Sequence, residues 1–410
     1  MAHRSYASPD GKWALLVEMD HDGAWVPCRL VPMDGSSQGR QVGPPGGGCT
    51  FAAWSPDGKW IYLTSGAGGA YHVWRQRFPS GEPEQVTSGL TEEEGIAMAP
   101  DGSSFVTAVA LKQRAVTLHD ASGDRQISLE GYAYNPKFTR DGKKVCYQIL
   151  KGGTADTGTS DLWLTDLETG RNELLFPGLS NAGARGVQPS YDISADGKRV
   201  LVQQIDREGK QRLWLAPLDR GSPPRQIPGV EGHSAVFGPA GEIFFRAVEG
   251  NSAFVYRVRE DGTGLRKAIE QPAICVLGIS PDGQWLAVWS PLSGSGPESA
   301  LHPLGGGPAV RIWGRDMRVR WPADGQYLFL SVSSLAGGGF ANGKTYVVPL
   351  PRGRVLPDIP PGGFQSEEEL ARLPGMRVID AADVNPGPAS GVYAFSRETT
   401  QRNLYRIALR

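Results

Sequence analysis

The sequence predicts an all-β protein made of repeated antiparallel strands, and three observations carry this prediction. The stretch SPDGKW stands at 8–13 and again at 55–60, and SPDGQW follows at 280–285. Weaker copies of the same turn recur about every 40–55 residues. The segments between them are rich in β-branched and aromatic residues, and helical periodicity is nearly absent. Four short strands per turn describe one propeller blade, so the predicted class is a single β-propeller of four-stranded antiparallel blades, eight or nine in number.

The repeated turn has the residue types of a tight type I corner. Proline presets φ at the second position, aspartate suits the third, and glycine accepts the backbone that leads into the next strand. A residue copied into every blade is predicted to be structural, so functional residues are expected where the repeats differ. The weaker copies are APDG at 99–102, TRDG at 139–142, SADG at 194–197, GPAG at 238–241, PADG at 322–325 and NPGP at 385–388.

Each predicted blade has one strand before its corner and three after it. In the second blade these are TFAAW (50–54), WIYLTS (60–65), YHVWRQRF (71–78) and EQVTS (84–88). One propeller domain is predicted over 1–410, with repeat units near 3–48, 49–92, 93–132, 133–186, 187–231, 232–273, 274–315, 316–375 and 376–410.

A helical insert is predicted at about 353–379, between the eighth and ninth units. The segment SEEELARL (366–373) is the candidate helix. Ser366 can cap its first turn, and Glu369 stands at the capping-box position.

Composition excludes several classes of protein. Lys+Arg is 42 and Asp+Glu is 43, which argues against a nucleic-acid partner or a polybasic membrane surface. No apolar run is long enough to span a membrane, and MAHRSYASPDG lacks a signal-peptide core, so a soluble chain without membrane insertion is expected. Its native compartment, cytoplasmic or extracytoplasmic as part of a larger protein, stays open. The four cysteines are far apart, so neither a disulfide framework nor a zinc knuckle is expected.

The repeat resembles a known group of propellers. The SPDG corner, the WIYLTS-type strand and the LWLxxL-type strand look like the PD40, or TolB-like, repeat, a relative of WD40, over essentially the whole chain. The segments 242–268 and 392–407 are similar to the propeller region that follows the kinase domain in acidobacterial-type serine/threonine kinases. The chain has no Gly-rich loop with a VAIK-like strand, no HRD and no DFG. The resemblance therefore implies a bacterial sensory or interaction propeller separated from a larger kinase-like protein.

The two ends of the chain raise the question of how the ring closes. Only Met1 and Ala2 precede the first inner strand, and the ninth unit ends after its third strand. Either a closing strand lies upstream, or the last blade keeps an unpaired edge. An unpaired edge invites another chain, which predicts self-association through the open terminal blade.

Function in a propeller concentrates at the mouth of its central channel, where the inner strands begin. The residue five positions before each corner marks this level in each blade, whereas the residue directly before each corner is mostly apolar and predicts packing between blades. His3, Glu94, His233 and Asp380 are the candidate ligands of a divalent metal, zinc, manganese or calcium, in the channel. Asn135, Gln188 and Cys275 are candidate ligand-binding residues on the same rim. Arg318, with Arg315 and Arg320, forms a basic cluster that suits an anionic ligand.

Two functions from different classes remain open. The first is a binding or scaffold module that presents its channel mouth to a protein or small molecule. The second is a metal-dependent hydrolase, promiscuous toward phosphotriesters, lactones or activated esters, in which a channel metal activates water. The simpler alternative is that the mouth residues only line a water-filled channel, and the basic cluster only pairs with nearby carboxylates. No GxSxG motif supports serine hydrolase chemistry.

Overall fold

The structure of the chain is a computed structural model. It describes residues 2–20, 25–67, 70–89, 91–129, 131–152, 159–182, 191–239, 241–291, 298–313, 317–322, 325–333, 343–389 and 391–409. These residues form eight antiparallel sheets, named I to VIII here, and one short helix. This confirms the predicted all-β propeller class with four-stranded blades.

Sheets I to III hold the first eleven strands and the last two. Sheet I comprises β1 (Ala2–Ala7), β2 (Trp13–Glu18), β3 (Arg29–Pro32) and β4 (Arg40–Gln41). Sheet II comprises β5 (Cys49–Trp54), β6 (Trp60–Ser65), β7 (His72–Arg77) and β8 (Pro83–Gln85). Sheet III comprises β9 (Glu92–Met98), β10 (Ser104–Asp120), β11 (Gly123–Gln126), β33 (Asn385–Pro386) and β34 (Tyr393–Ala408).

Sheets IV to VIII follow one another along the chain. Sheet IV comprises β12 (Ala133–Phe138), β13 (Lys144–Gly152), β14 (Thr159–Asp166), β15 (Asn172–Leu175) and β16 (Asn181–Ala182). Sheet V comprises β17 (Tyr191–Ile193), β18 (Arg199–Ile205), β19 (Gln211–Pro217) and β20 (Arg225–Gln226). Sheet VI comprises β21 (His233–Phe237), β22 (Glu242–Glu249), β23 (Ser252–Arg259) and β24 (Arg266–Pro272). Sheet VII comprises β25 (Cys275–Ile279), β26 (Trp285–Ser290), β27 (Glu298–Pro303) and β28 (Val310–Trp313). Sheet VIII comprises β29 (Met317–Arg320), β30 (Tyr327–Ser333), β31 (Gly343–Pro349) and β32 (Arg377–Ile379).

The chain divides into two compact units. The smaller unit contains 1–113 and 399–410, and the larger unit contains 114–151 and 159–398. Strands β10 and β34 are long, with 17 and 16 residues. One part of each strand belongs to the smaller unit and the other part to the larger unit. The expectation of one domain over 1–410, with its unit boundaries, stays a prediction.

In the larger unit, six sheets close into a ring through their hydrophobic clusters. Separate clusters join sheet IV to V, V to VI, VI to VII, and VII to VIII. Phe329 of sheet VIII packs with Phe395 of β34, and Val116 of β10 packs with Val145 of sheet IV. The sixth member of the ring is therefore the part of sheet III in which β11, the end of β10, the start of β34 and β33 lie side by side. Strand β34 has a neighbour on either side there, β10 and β33.

The repeated corner is held by its own side chains. Ser55 Oγ accepts from Trp60 N at 2.9 Å and donates to Asp57 Oδ1 at 2.7 Å, while Lys59 N donates to the same carboxylate oxygen at 3.0 Å. Gly58 takes φ 70°, which only glycine adopts without strain. The same bonds recur at 8–13, 194–199 and 280–285. The predicted structural role of the corner is confirmed.

Two further expectations about local structure have clear outcomes. The helix is confirmed as α1 (Glu367–Ala371), with the Ser366 side chain accepting from Glu369 N. The ninth corner is misplaced by two residues in the sequence prediction. Gly387 N donates to Val392 O at 2.8 Å, the pattern of Ser8 N and Trp13 O, so the corner begins at Gly387 and not at Asn385. Pro388 is its turn proline, and it packs directly on Gly142 of the corner in sheet IV.

The expectation about cysteines is wrong in the smaller unit. Cys28, just before β3, and Cys49, at the start of β5, form a disulfide with a Cα–Cα distance of 5.3 Å. Both residues are fully buried and belong to the cluster that packs sheet I on sheet II. A spacing of 21 residues carries no disulfide signature, and only the pairing of the two sheets brings these cysteines together.

Candidate functional site

Three residues at or just before inner strands of the larger unit have an unusual backbone conformation. Asn135, Ser234 and Asp383 have φ of 53°, 52° and 58°, in the left-handed region that non-glycine residues rarely adopt. Each stands four residues before the first residue of its corner. In sheets IV and VI, the strand register shifts at this point. A bulge of this kind turns a side chain away from the regular alternation, as is common beside functional sites.

Asp383 lies at the centre of a buried cluster of charges. It is 2% exposed, and its Oδ1 accepts from Arg318 Nη1 at 2.5 Å and from Arg320 Nη2 at 2.6 Å. Arg114, on β10, approaches Asp383 Oδ2 at 3.9 Å. We call these four residues the charged centre. Both guanidinium groups thus make charge-assisted hydrogen bonds to the same carboxylate oxygen, and such bonds are strong and directional.

Burial and charge act in opposite directions on these groups. Burial alone would raise the pKa of Asp383, but Arg318, Arg320 and Arg114 together bring that pKa below its usual value. Burial lowers the pKa of Arg320, and the Asp383 carboxylate offsets part of this effect. The Arg318 and Arg320 side chains keep 18% and 15% of their surface exposed, so solvent or a ligand can reach them.

A buried phenol lies beside the charged centre. Tyr134 is 1% exposed, and its Oη has no hydrogen-bond partner of acceptable geometry among the described residues. Burial raises its pKa well above the usual value, and nearby Ser160 and Arg114 offset part of that rise. An unsatisfied buried hydroxyl in a native structure usually marks a place for a water or a ligand.

Amide side chains from sheets IV and V form a bonded row, called the rim here, near the starts of the inner strands. Asn135 Nδ2 donates to Gln148 Oε1 at 2.9 Å, and Gln148 Nε2 donates to Ser160 Oγ at 2.7 Å. In sheets V and VI, Ser234 N donates to Gln203 Oε1 at 2.8 Å. Gln148 and Gln203 hold equivalent places, nine residues after the start of their corners. The rim is therefore polar and internally bonded, which fixes the positions of its donors and acceptors.

Two of the predicted metal ligands lie in the smaller unit and are engaged there. The ring of His3 is exposed and packs edge-on against Trp25, with centroids 5.1 Å apart. Glu94 is exposed and pairs with Arg402 at 2.9 Å.

The other two predicted metal ligands belong to the larger unit. His233 is buried, and its Nδ1 and Nε2 lie 2.9 Å from Ser234 Oγ and 2.7 Å from Arg246 Nη1. Burial and the Arg246 charge lower its pKa to about 3, so the imidazole is neutral and its Nε2 lone pair accepts from the guanidinium. Asp380 is exposed just after β32, and the corrected corner puts Ala382, not Asp380, at the mouth level.

The remaining predicted residues have mixed positions. Asn135 bonds Gln148, and Arg318 belongs to the charged centre. Cys275 begins β25 opposite Trp289, with an intermediate exposure. Gln188 lies outside the described residues. Within the described ranges, no three His, Cys, Asp or Glu side chains converge in a way that could hold a metal ion. The channel metal and its ligands stay predictions.

Sequence reasoning identified Arg318 and Arg320 but missed their partner. Asp383 is hidden because the ninth corner is degenerate, with prolines at 386 and 388. With Pro388 taken as the turn proline, the corner begins at Gly387. Asp383 then stands four residues before its corner, as Asn135 and Ser234 do.

Comparisons with known proteins found similar solved structures at low sequence identity. No family model matches the chain. A solved structure of a putative TolB from Agrobacterium tumefaciens is similar at 13% identity and a TM-score of 0.49, covering 70% of this chain and 99% of that one. TolB from Acinetobacter baumannii is similar at 16% identity and a TM-score of 0.44, covering 74% of this chain and 76% of that one. An oligogalacturonate lyase in complex with manganese is similar at 15% identity and a TM-score of 0.34, covering 85% of this chain and 84% of that one.

The propeller class predicted from the repeats rests on the eight sheets themselves. The resemblance to kinase-linked propellers is not tested by these comparisons. No helix within the described ranges is long and apolar enough to cross a bilayer.

Proposed function

We propose that the chain is a propeller binding module whose larger unit binds a small anionic group at the charged centre. One observation carries the proposal, the convergence of Arg318 and Arg320 on the Asp383 carboxylate. Each guanidinium group has five N–H donors in a planar fork. Arg318 and Arg320 can therefore bind a ligand oxyanion while they keep their bonds to the Asp383 carboxylate. The Tyr134 hydroxyl and the bonded amide rim supply further polar groups for orientation.

The arrangement favours binding over hydrolysis. Asp383 is held as a carboxylate by its arginine partners, so it is a poor general base. His233 donates and accepts within the protein, which leaves neither ring nitrogen for a metal or a substrate proton. We keep the sensory role in a larger kinase-like protein as part of the proposal, on the resemblance of 242–268 and 392–407. A protein ligand would then present a carboxylate or phosphate group to the same centre.

Anion-dependent thermal stability tests the proposal. Sulfate, phosphate and acetate are compared with chloride at equal ionic strength, for the natural chain, for Arg318→Gln and for the control Arg354→Gln. Arg354 is an exposed arginine in a surface ion pair with Asp358. A ligand at a hundred times its Kd stabilises the folded state by about 2.7 kcal/mol.

We expect an anion to raise the Tm of the natural chain and of Arg354→Gln, and to leave Arg318→Gln unchanged relative to chloride. Equal shifts in all three proteins would show a general salt effect and would overturn the proposal. A parallel series with zinc, manganese or calcium, and with a chelator, tests the metal-dependent alternative through metal content and ester turnover.

We also infer that the chain matures in an oxidising compartment. The support is the buried Cys28–Cys49 disulfide, since disulfides persist mainly outside the reducing cytosol. Thiol titration of the denatured, unreduced protein from its native cells should find two reactive thiols, those of Cys146 and Cys275. Four reactive thiols would refute the inference.

A further inference from the structure

The smaller unit contains a blade with one strand fewer than its neighbours. Its part of sheet III consists of β9, the first part of β10 and the last part of β34, whereas sheets I and II have four strands each. Strand β9 pairs with one side of β10 through residues 105–110, and β34 lies on the other side. No strand among the described residues pairs with the outer side of 399–408.

The backbone of this outer strand presents regularly spaced hydrogen-bonding groups. Leu409 N donates to Ser103 O at 2.8 Å, and Arg406 Nε reaches Ser104 Oγ at 2.9 Å, so the last part of β34 runs along the start of β10. In an antiparallel pair, alternate residues direct N–H and C=O to the neighbour. The intervening residues, Arg402, Leu404 and Arg406, therefore direct theirs away from β10.

The side chains of the same strand are unusually exposed. Every residue from 399 to 406 is exposed, with Leu404 at 75% and Tyr405 at 50%. At the end of this segment, Ile407 and Leu409 pack on the core with Phe105. Natural proteins usually shorten, cover or bend such an edge, because it is a template for a further strand. An exposed edge that carries Leu404 and Tyr405 and has no partner strand among the described residues is therefore a candidate docking surface.

The charge of the strand indicates its partner. The segment 399–409 contains Arg402 and Arg406 and no acidic residue. Arg402 pairs with Glu94, yet 47% of its side chain stays exposed. A second copy of the same strand would bring four arginines together along one edge, and like charges across a strand pair are destabilising. An extended segment with alternating acidic and apolar residues complements the edge instead.

We propose that residues 399–408 bind an extended acidic peptide segment, which adds as the fourth strand of this blade. The added backbone bonds supply affinity, and the acidic side chains pair with Arg402 and Arg406. The proposal does not depend on anion binding in the larger unit, because the two surfaces share no residue.

Fluorescence anisotropy with a labelled octapeptide of alternating glutamate and valine tests the proposal. Leu404→Pro removes one outward-facing N–H without touching the bonds to β10, and should weaken binding about tenfold or more. Leu404→Gln keeps the backbone donor and is the matched control, with a change of about threefold or less. A peptide with lysine in place of glutamate should bind about tenfold or more weakly than the acidic peptide.

A second measurement avoids any folding defect of the proline variant. With the natural chain, an acidic peptide methylated at alternate backbone nitrogens should lose binding when the methyl groups face the strand, and keep it when they face away. Equal binding of both methylated peptides, or of Leu404→Pro and Leu404→Gln, would overturn the proposal. A dimer in sedimentation that Leu404→Pro dissociates would assign the edge to a second copy of this chain and would likewise overturn it.

Discussion

Replacing Asp383 by asparagine should destabilise the larger unit strongly. The side chain is 2% exposed and accepts from Arg318 at 2.5 Å and Arg320 at 2.6 Å. Removal of its charge leaves two guanidinium groups that are mostly buried without their carboxylate. Breaking a buried ion pair in this way costs about 3–5 kcal/mol. Asparagine tolerates the φ of 58° at this position, so the backbone itself adds little to the loss.

Urea unfolding followed by tryptophan fluorescence measures this loss, provided that the transition of the larger unit keeps its m-value. Asp380→Asn is the matched control, because Asp380 is exposed and only three residues away. That variant should change the free energy of unfolding by about 0.5 kcal/mol or less. Sulfate should restore part of the stability of Asp383→Asn by replacing the missing negative charge. A loss below about 1 kcal/mol would refute the view that Asp383 compensates the arginine charges.

Three further predictions concern the smaller unit. Removing the disulfide with Cys28→Ser and Cys49→Ser together should cost about 3 kcal/mol, given the spacing of 21 residues, and a Tm that matches the reduced natural chain would confirm the cause. Ser55→Ala removes two corner bonds and should cost about 1 kcal/mol in denaturant unfolding, and no measurable loss would contradict the structural role of the corner. The Ser55 hydroxyl is the main cause that lowers the pKa of Asp57. The pKa of Asp57 is lower in the folded state than in the unfolded state, where it is about 3.9. The stabilisation from the bond between Ser55 and Asp57 is therefore fully present above about pH 3.9. It is lost as the pH falls through the folded pKa. The Tm difference between Ser55→Ala and the natural chain should thus be constant from pH 7 to 5 and narrow below pH 4, and a gap that widens in acid would refute the assignment.

Local features of the fold were predictable because their causes lie within a few residues. The corner at 55–60 is bonded internally, so its six residues carry all the information it needs. The apolar residue before each corner was expected to pack between blades. Trp54, Phe138 and Phe237 indeed fall in different clusters, each of which joins two neighbouring sheets.

The candidate site was only half predictable. Arg318 and Arg320 stand out in the sequence as a basic pair on one inner strand. Asp383, more than sixty residues later, has no local signature, and its place depends on a corner that has lost the SPDG spelling. The proposed metal ligands stay predictions, and the structure shows why spacing alone cannot establish them. Equal distance from a corner places residues at one level of their blades, but it does not decide which side chains meet.

The sequence by itself determined the repeated four-stranded blade, its corner, the apolar residues between blades and the capped helix, because short-range hydrogen bonds and strand periodicity specify each of them. Only the tertiary structure decided how the ring closes. The end of β10 and the start of β34 lie about 270 residues apart along the chain, yet they share one sheet between the Val116 and Phe395 clusters. The local sequence is similar in every blade, so it does not specify which distant strands pair. Long-range packing decides that pairing. The same packing brings Cys28 to Cys49 and Asp383 to Arg318 and Arg320.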